Sequence, residues 1–272
     1  MFAFWRNHSR DSMPLRTNKF ERRPPDHRNA IELFEGRWAT DLSILNPAWP
    51  GGISPLLEDS RLSKAARYLG SSSQRFDGIS VLELGPLEGA HTWQLERLGA
   101  ERILAIEANT DAYLKCLIMK EVLGLKRATF MLGDFSPYLA ETDDRFDLVF
   151  CSGVLYHMEY PLRLILDIAR VGERCFVWTH YYDNTHPKCS HRVSTSAALD
   201  GYSAPHFAAP YRDRAQPQFW GGNKSSSSWM TRGDIIAAFR HFGFERVETF
   251  DDDPNHINGP SFSLAASKRP PP

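Results

Sequence analysis

The sequence predicts an α/β fold: a seven-stranded, mostly parallel sheet with an antiparallel last strand and helices on both faces. Three observations carry this. Five short runs are largely apolar, as strands covered on both faces of a parallel sheet are. Between them lie segments whose apolar residues recur every three or four positions, the period of a helix lying on a sheet. The last two runs are joined by a connection too short for a helical crossover, so they pair antiparallel.

The elements follow in order. Residues 1–30 are polar and lean basic, with Arg6, Arg10, Arg16, Lys19, Arg22, Arg23 and Arg28 against Asp11, Glu21 and Asp26. Pro24-Pro25 breaks any helix there, and a partly disordered arm is expected. Leu62, Ala65, Ala66 and Leu69 fall on one helical face, and Gly70 stops that helix. Residues 1–75 thus read as an N-terminal arm and helical cap, and 76–272 as the domain that carries the chemistry. Ile79 to Leu84 is the first strand, followed by a helix over 90–98 ended by Gly99. Arg102 to Ile106 is the second strand, and a helix over 110–123 runs to Gly124. Ala128 to Leu132 and Phe146 to Phe150 are the third and fourth strands. Pro161 opens the next helix, and Cys175 to Trp178 is the fifth strand.

From Tyr181 to Met230 the rhythm breaks. Tyr181, Tyr182, Tyr202, Phe207, Tyr211, Phe219 and Trp220 show no helical or strand period, so 183–227 is expected to be an irregular, lid-like insertion over a substrate. Thr231 with Asp234 has the form of a helix N-cap, and Gly243 ends that helix. The final strands cover 244–250 and 261–267.

Open parallel sheets bind ligands at the carboxyl ends of their strands, where strand order reverses. After the first strand comes Glu83-Leu84-Gly85-Pro86-Leu87-Glu88-Gly89, where Gly85 and Gly89 permit a sharp turn close to a ligand. The helix beginning near Ala90 offers free N–H groups to a carboxylate. After the second strand come Glu107, suited to both hydroxyls of a ribose, and Ala108. After the third come Asp134, an acceptor for an adenine amino group, and Phe135, an aromatic to stack on it. After the fourth comes Ser152-Gly153-Val154-Leu155-Tyr156-His157, and past the fifth stand His180 and Asp183.

These residues, in this order, resemble the motifs of the class I S-adenosylmethionine (SAM)-dependent methyltransferases over residues 79–180. The resemblance implies a Rossmann-like domain with SAM as cofactor, held by Glu83, Gly85, Pro86, Gly89, Glu107, Ala108, Asp134, Phe135 and Ser152. Leu87 stands where the family has its middle glycine, which leaves the path of the loop open. Within that superfamily, Ser152 to His157 with Pro161, and Trp229-Met230-Thr231, are similar to the tRNA wobble-uridine carboxymethyltransferases, which use carboxy-SAM and bind tRNA.

A net charge of -1 is a poor match for the many phosphate contacts of tRNA, so nucleic acid is not the expected partner. The expected activity is in-line methyl transfer to oxygen or nitrogen of a small-molecule acceptor. His157 and His180 are the candidate bases because histidine titrates near working pH, and Tyr156 would orient the acceptor. The alternatives are an RNA-modifying methyl- or carboxymethyltransferase and a SAM-binding partner protein without catalysis. A nicotinamide dehydrogenase would need G-x-G-x-x-G, which Leu87 and Ala90 break. His186, Cys189 and His191 lack regular ligand spacing, so no metal is expected. No apolar stretch approaches the roughly 18 residues of a membrane span, and the cysteines are scattered; a cytoplasmic enzyme is expected.

Overall fold

The computed structural model describes residues 20–211 and 221–269. Part of the N-terminal arm, with its first four basic residues, and Arg212, Arg214, Phe219 and Trp220 of the insertion lie outside these.

The main sheet has seven strands: β1 (Ser80–Leu84), β2 (Arg102–Glu107), β3 (Ala128–Leu132), β4 (Phe146–Ser152), β5 (Gly172–His180), β9 (Arg246–Asp253) and β10 (Ser261–Ser267). Their order across the sheet is β3-β2-β1-β4-β5-β10-β9. All neighbours are parallel except β10, which is antiparallel to both β5 and β9. The chain leaves β1 toward β3 and returns on the other side at β4, so the order reverses between β1 and β4. That is where the carboxyl strand ends open a crevice.

Helices cover both faces. On one, α2 (Ser60–Leu69), α3 (Ala90–Arg97) and α4 (Thr110–Val122) pack Leu62, Leu95 and Cys116 against Val81, Ile103 and Phe150. On the other, α5 (Phe135–Glu141), α6 (Pro161–Val171) and α7 (Arg232–His241) pack Leu139, Ile165 and Phe239 against Leu82, Val149 and Leu264. Each fully buried aliphatic side chain here is worth about 1.5–3 kcal/mol of transfer from water. Helix α2 begins at Ser60 because Asp59 caps it, accepting from Arg61 N–H at 2.9 Å.

The structure departs from expectation in three places. Within the arm, Asp26 caps a short helix the sequence did not suggest, α1 (His27–Ile31). Ile31 then joins Phe34, Trp38, Leu42 and Met119 in a third core cluster. Helix α5, absent from the elements given above, starts from Asp134, the residue also suited to cap a helix; Pro137 in its first turn masks the periodicity that would mark its body. The insertion is not irregular: β6 (Val193–Leu199), β7 (Tyr202–Pro210) and β8 (Ser226–Trp229) form an antiparallel three-stranded sheet. Asp200 and Gly201, with φ of 48° and 79°, make the two-residue turn between β6 and β7. Asp-Gly is a strong hairpin signal, but β6 beside it carries no apolar–polar alternation, with Val193, Ser194, Thr195 and Ser196 all exposed in succession.

Candidate active site

The loop after β1 carries three left-handed residues, Gly85, Leu87 and Gly89, with φ of 64°, 59° and 81°. A side chain at Gly85 would press on Val154 Cγ2 at 3.1 Å, and one at Gly89 on Phe130 Cζ at 3.2 Å. Leu87 therefore keeps the backbone of the glycine it replaces, against a cost of roughly 1–2 kcal/mol for a side chain in that region. What holds it there is Glu107 at the end of β2, whose Oε2 accepts from Leu87 N–H at 3.0 Å while Oε1 accepts from Asn109 N–H at 2.8 Å. Burial pushes the Glu107 carboxyl up despite these bonds. Each oxygen keeps a lone pair for a further donor.

Glu88 turns away from the crevice and is 1% exposed. It accepts from Ala39 N–H at 2.9 Å, from Thr40 N–H at 2.8 Å and from Lys115 Nζ at 2.8 Å, tying the N-terminal segment and α4 to the loop. Glu83 is buried on β1, accepts from Thr92 Oγ1 at 2.5 Å, and is pushed up to about 8 by desolvation, so it holds a proton at neutral pH. Gly89 gives α3 no side-chain cap, leaving its first N–H groups for an anion.

At the end of β3, Asp134 caps α5, accepting from Ser136 N–H at 2.8 Å and from Asn223 Nδ2 at 2.7 Å. Burial opposes its charge, but these bonds outweigh burial and keep the carboxyl low. Phe135 packs on the core beneath, while Leu132, paired with Glu107 across the strands, is 49% exposed at this end of the crevice.

Beyond β4, Ser152 Oγ accepts from Arg61 Nη1 at 3.0 Å. Arg61 stands 4.7 Å over the Trp178 ring and is paired with Asp59, which also bonds His91 Nε2 at 3.0 Å. The turn over Leu155–His157 then sets Tyr156 among rings: His157 at 4.1 Å, His180 at 4.6 Å and Trp178 at 5.9 Å between centroids. Trp229 of β8 completes the wall, stacked on His180 at 5.4 Å and donating from Nε1 to Tyr156 O at 3.0 Å.

His180 is 4% exposed, and its Nδ1 lies 2.8 Å from Gly259 O. A carbonyl only accepts, so Nδ1 carries the hydrogen and Nε2 the free lone pair. Burial, then the nearby His256, lowers its pKa to about 4. His157 is lowered to about 3, again chiefly by burial, and its Nδ1 meets Tyr211 Oη at 2.9 Å. Both rings are neutral at pH 7. Asp183 instead closes a turn, accepting from Thr185 N–H at 2.8 Å. Among the described residues no group of three or more His, Cys, Asp or Glu side chains is placed to hold a metal ion. No helix among them is long and apolar enough to cross a membrane.

The crevice thus gathers Gly85, Gly89, Glu107, Asp134, Ser152, Tyr156, His157 and His180 along one edge of the sheet. Arg61, Leu132, Trp178, Arg192 and His256 were not singled out from sequence, because each reaches the crevice from an element whose local pattern carries no ligand motif; Trp229 stood out only through its resemblance to the carboxymethyltransferase branch.

Sheet order, the left-handed loop after β1 and the strand-end carboxylates are those of the class I SAM-dependent methyltransferase fold. A family model described as a methyltransferase domain matches residues 75–200. The chain is 27% identical to the tRNA U34 carboxymethyltransferase of Cellvibrio japonicus over 125 residues, 45% of this chain and 38% of that one. It is 32% identical to the enzyme of the same name from Hydrogenovibrio crunogenus over 95 residues, 34% of this chain and 29% of that one. The match thus spans well under half the length of these relatives. Among solved structures, the N-terminal domain of EvdMO1 with SAH bound superposes with a TM-score of 0.64 at 25% identity, covering 89% of this chain and 94% of that domain. Magnesium protoporphyrin IX methyltransferase from Synechocystis PCC 6803, at 16% identity and a TM-score of 0.54, shares the fold.

Proposed function

We propose that this protein methylates a hydroxyl or amine of a small molecule, with His180 as general base. The observation that carries the reading is His180 itself. Its tautomer is fixed by Gly259 O, and its Nε2 lone pair lies in an aromatic pocket beside the cofactor end of the crevice. When bound, SAM supplies a methyl group already activated by its sulfonium. Gly85, Pro86 and Gly89 with the uncapped α3 would receive the methionyl part, Glu107 and Ala108 the ribose, and Asp134, Phe135 and Leu132 the adenine. Glu83 and Ser152 support that wall, and Arg61 is a further candidate for the carboxylate. His180 takes the acceptor's proton, while Tyr156 and His157 orient the acceptor and the aromatic wall excludes water. Residues 183–227 act as the lid through β6 to β8.

A carbohydrate is the first acceptor to test, because the EvdMO1 N-terminal domain was also crystallised in the presence of SAH and D-fucose. A second reading, transfer to tRNA, is favoured by the carboxymethyltransferase relatives. Incubation with methyl-tritiated SAM and either a panel of sugars or bulk tRNA separates them. Label is expected in the small-molecule fraction. Label only in RNA, falling steeply with salt, would replace the first reading with the second.

For the cofactor, Glu107→Ala is expected to weaken SAM by about 1–3 kcal/mol in calorimetry, because a charged acceptor and the brace on Leu87 go together. Unchanged affinity in a folded variant would remove the ribose assignment.

A further inference from the structure

Arg192, at the foot of β6, brings a positive charge against the aromatic wall formed by Trp229 and His180. Its guanidinium carbon stands 3.8 Å over the Trp229 ring, which in turn stacks on His180. Nη1 donates to Phe207 O at 3.1 Å and to Ser227 O at 3.3 Å, carbonyls of β7 and β8. Nε is buried and, among the described residues, has no hydrogen-bond partner. Among the described residues no carboxylate is paired with Arg192, although the other arginines near the crevice and insertion, Arg61 and Arg232, each have an aspartate. Burial pulls it down to about 10, opposed only by Cys189 and Tyr211, so it stays charged at neutral pH. Its field reaches both catalytic-wall histidines, His157 and His180.

Two carbonyls and an indole face solvate a guanidinium; they do not neutralise it. A partly buried cation without a counter-ion is unfavourable by itself, and losing a partner from a buried pair is among the larger destabilising changes known. A planar fork with an unused Nε–H is the geometry that takes an oxyanion in two parallel hydrogen bonds.

We propose that Arg192 is the oxyanion receptor of the acceptor pocket, so that the methyl acceptor carries a carboxylate or phosphate besides the group that is methylated. This rests on the reading of the pocket as the acceptor site. It also gives the neighbouring histidines a function for their depressed basicity: an anion seated on Arg192 cancels the charge that helps hold them neutral, and each becomes a better proton acceptor once substrate is in place.

The test uses the full chain saturated with S-adenosylhomocysteine, titrated with inorganic phosphate and, separately, sodium acetate at constant ionic strength. The Trp229 Nε1–H signal in NMR is the reporter. A saturable shift is expected with at least one anion; the tighter of the two identifies phosphoryl or carboxylate chemistry. Arg192→Met is expected to weaken that binding at least about tenfold while leaving S-adenosylhomocysteine affinity unchanged. Arg192→Lys keeps the charge without the fork and should fall between the two; it stands alone if the methionine variant does not fold. No saturable shift with either anion, a shift that Arg192→Met retains, or equal affinity in Arg192→Lys would overturn the proposal. Anion binding without methyl transfer to any small molecule would instead sink the preceding reading and leave the receptor standing.

Discussion

His180→Asn is expected to lower kcat by about 10²–10⁴-fold with SAM affinity nearly unchanged. The asparagine amide can still donate to Gly259 O, as His180 Nδ1 does, so the turn before β10 keeps its anchor. What disappears is the Nε2 lone pair. His157→Ala should raise KM more than it lowers kcat, as expected of a residue that positions the acceptor. The pH profile separates the two. A base lowered to about 4 leaves wild-type kcat/KM flat from about pH 8 down to about pH 5, with the acid limb below that. Normal turnover in His180→Asn would remove it from the chemistry. The same shifts bear on stability. His157 and His180 are lowered to about 3 and about 4, so between those values and the ordinary 6.5 the unfolded chain binds more protons than the native one. The stability they contribute is complete above about pH 6.5 and is lost as pH falls through about 4. Urea midpoints at pH 7 and pH 5 should show the decline, smaller in His180→Asn.

Glu88→Ala is expected to destabilise the fold by about 3–5 kcal/mol, the range for stripping one partner from a buried ion pair. Lys115 Nζ would keep only Arg37 O at 2.5 Å, and the N–H groups of Ala39 and Thr40 would be buried without an acceptor. The check is a cycle with Lys115→Met. The double variant Glu88→Leu, Lys115→Met should recover much of the loss, because no unpaired charge is left behind. Additive losses would show that the two residues act separately. Because Glu88 sits between Leu87 and Gly89, the single variant should also weaken SAM.

The main sheet was legible because its signals are local. Ile79 to Leu84 and Phe146 to Phe150 are largely apolar runs bounded by turn residues, and Gly85, Glu107 and Asp134 lie at or just past the ends of their strands. The rest depends on contacts between distant segments. Arg61 meets Ser152 across 91 positions, and Glu88 meets Ala39 across 49. Arg192 belongs to no motif and Trp229 only to the Trp229-Met230-Thr231 resemblance, and only the pairing of β7 with β6 and β8 brings them to His180. The insertion was misread for a different reason. Tyr182 and Phe207 looked aperiodic along the chain, yet their rings stack at 3.4 Å once β7 has folded back.

Leu87 changes how the departure from the family glycine is understood. Its amide hydrogen is donated to a side chain of the next strand and not to the loop. Exchange of that single amide with solvent therefore reports on Glu107, twenty positions away. A ligand whose hydroxyls settle on Glu107 holds the carboxylate still and with it the floor of the loop. Occupancy of one end of the crevice is then written into the exchange rate at the other, with no change of shape required.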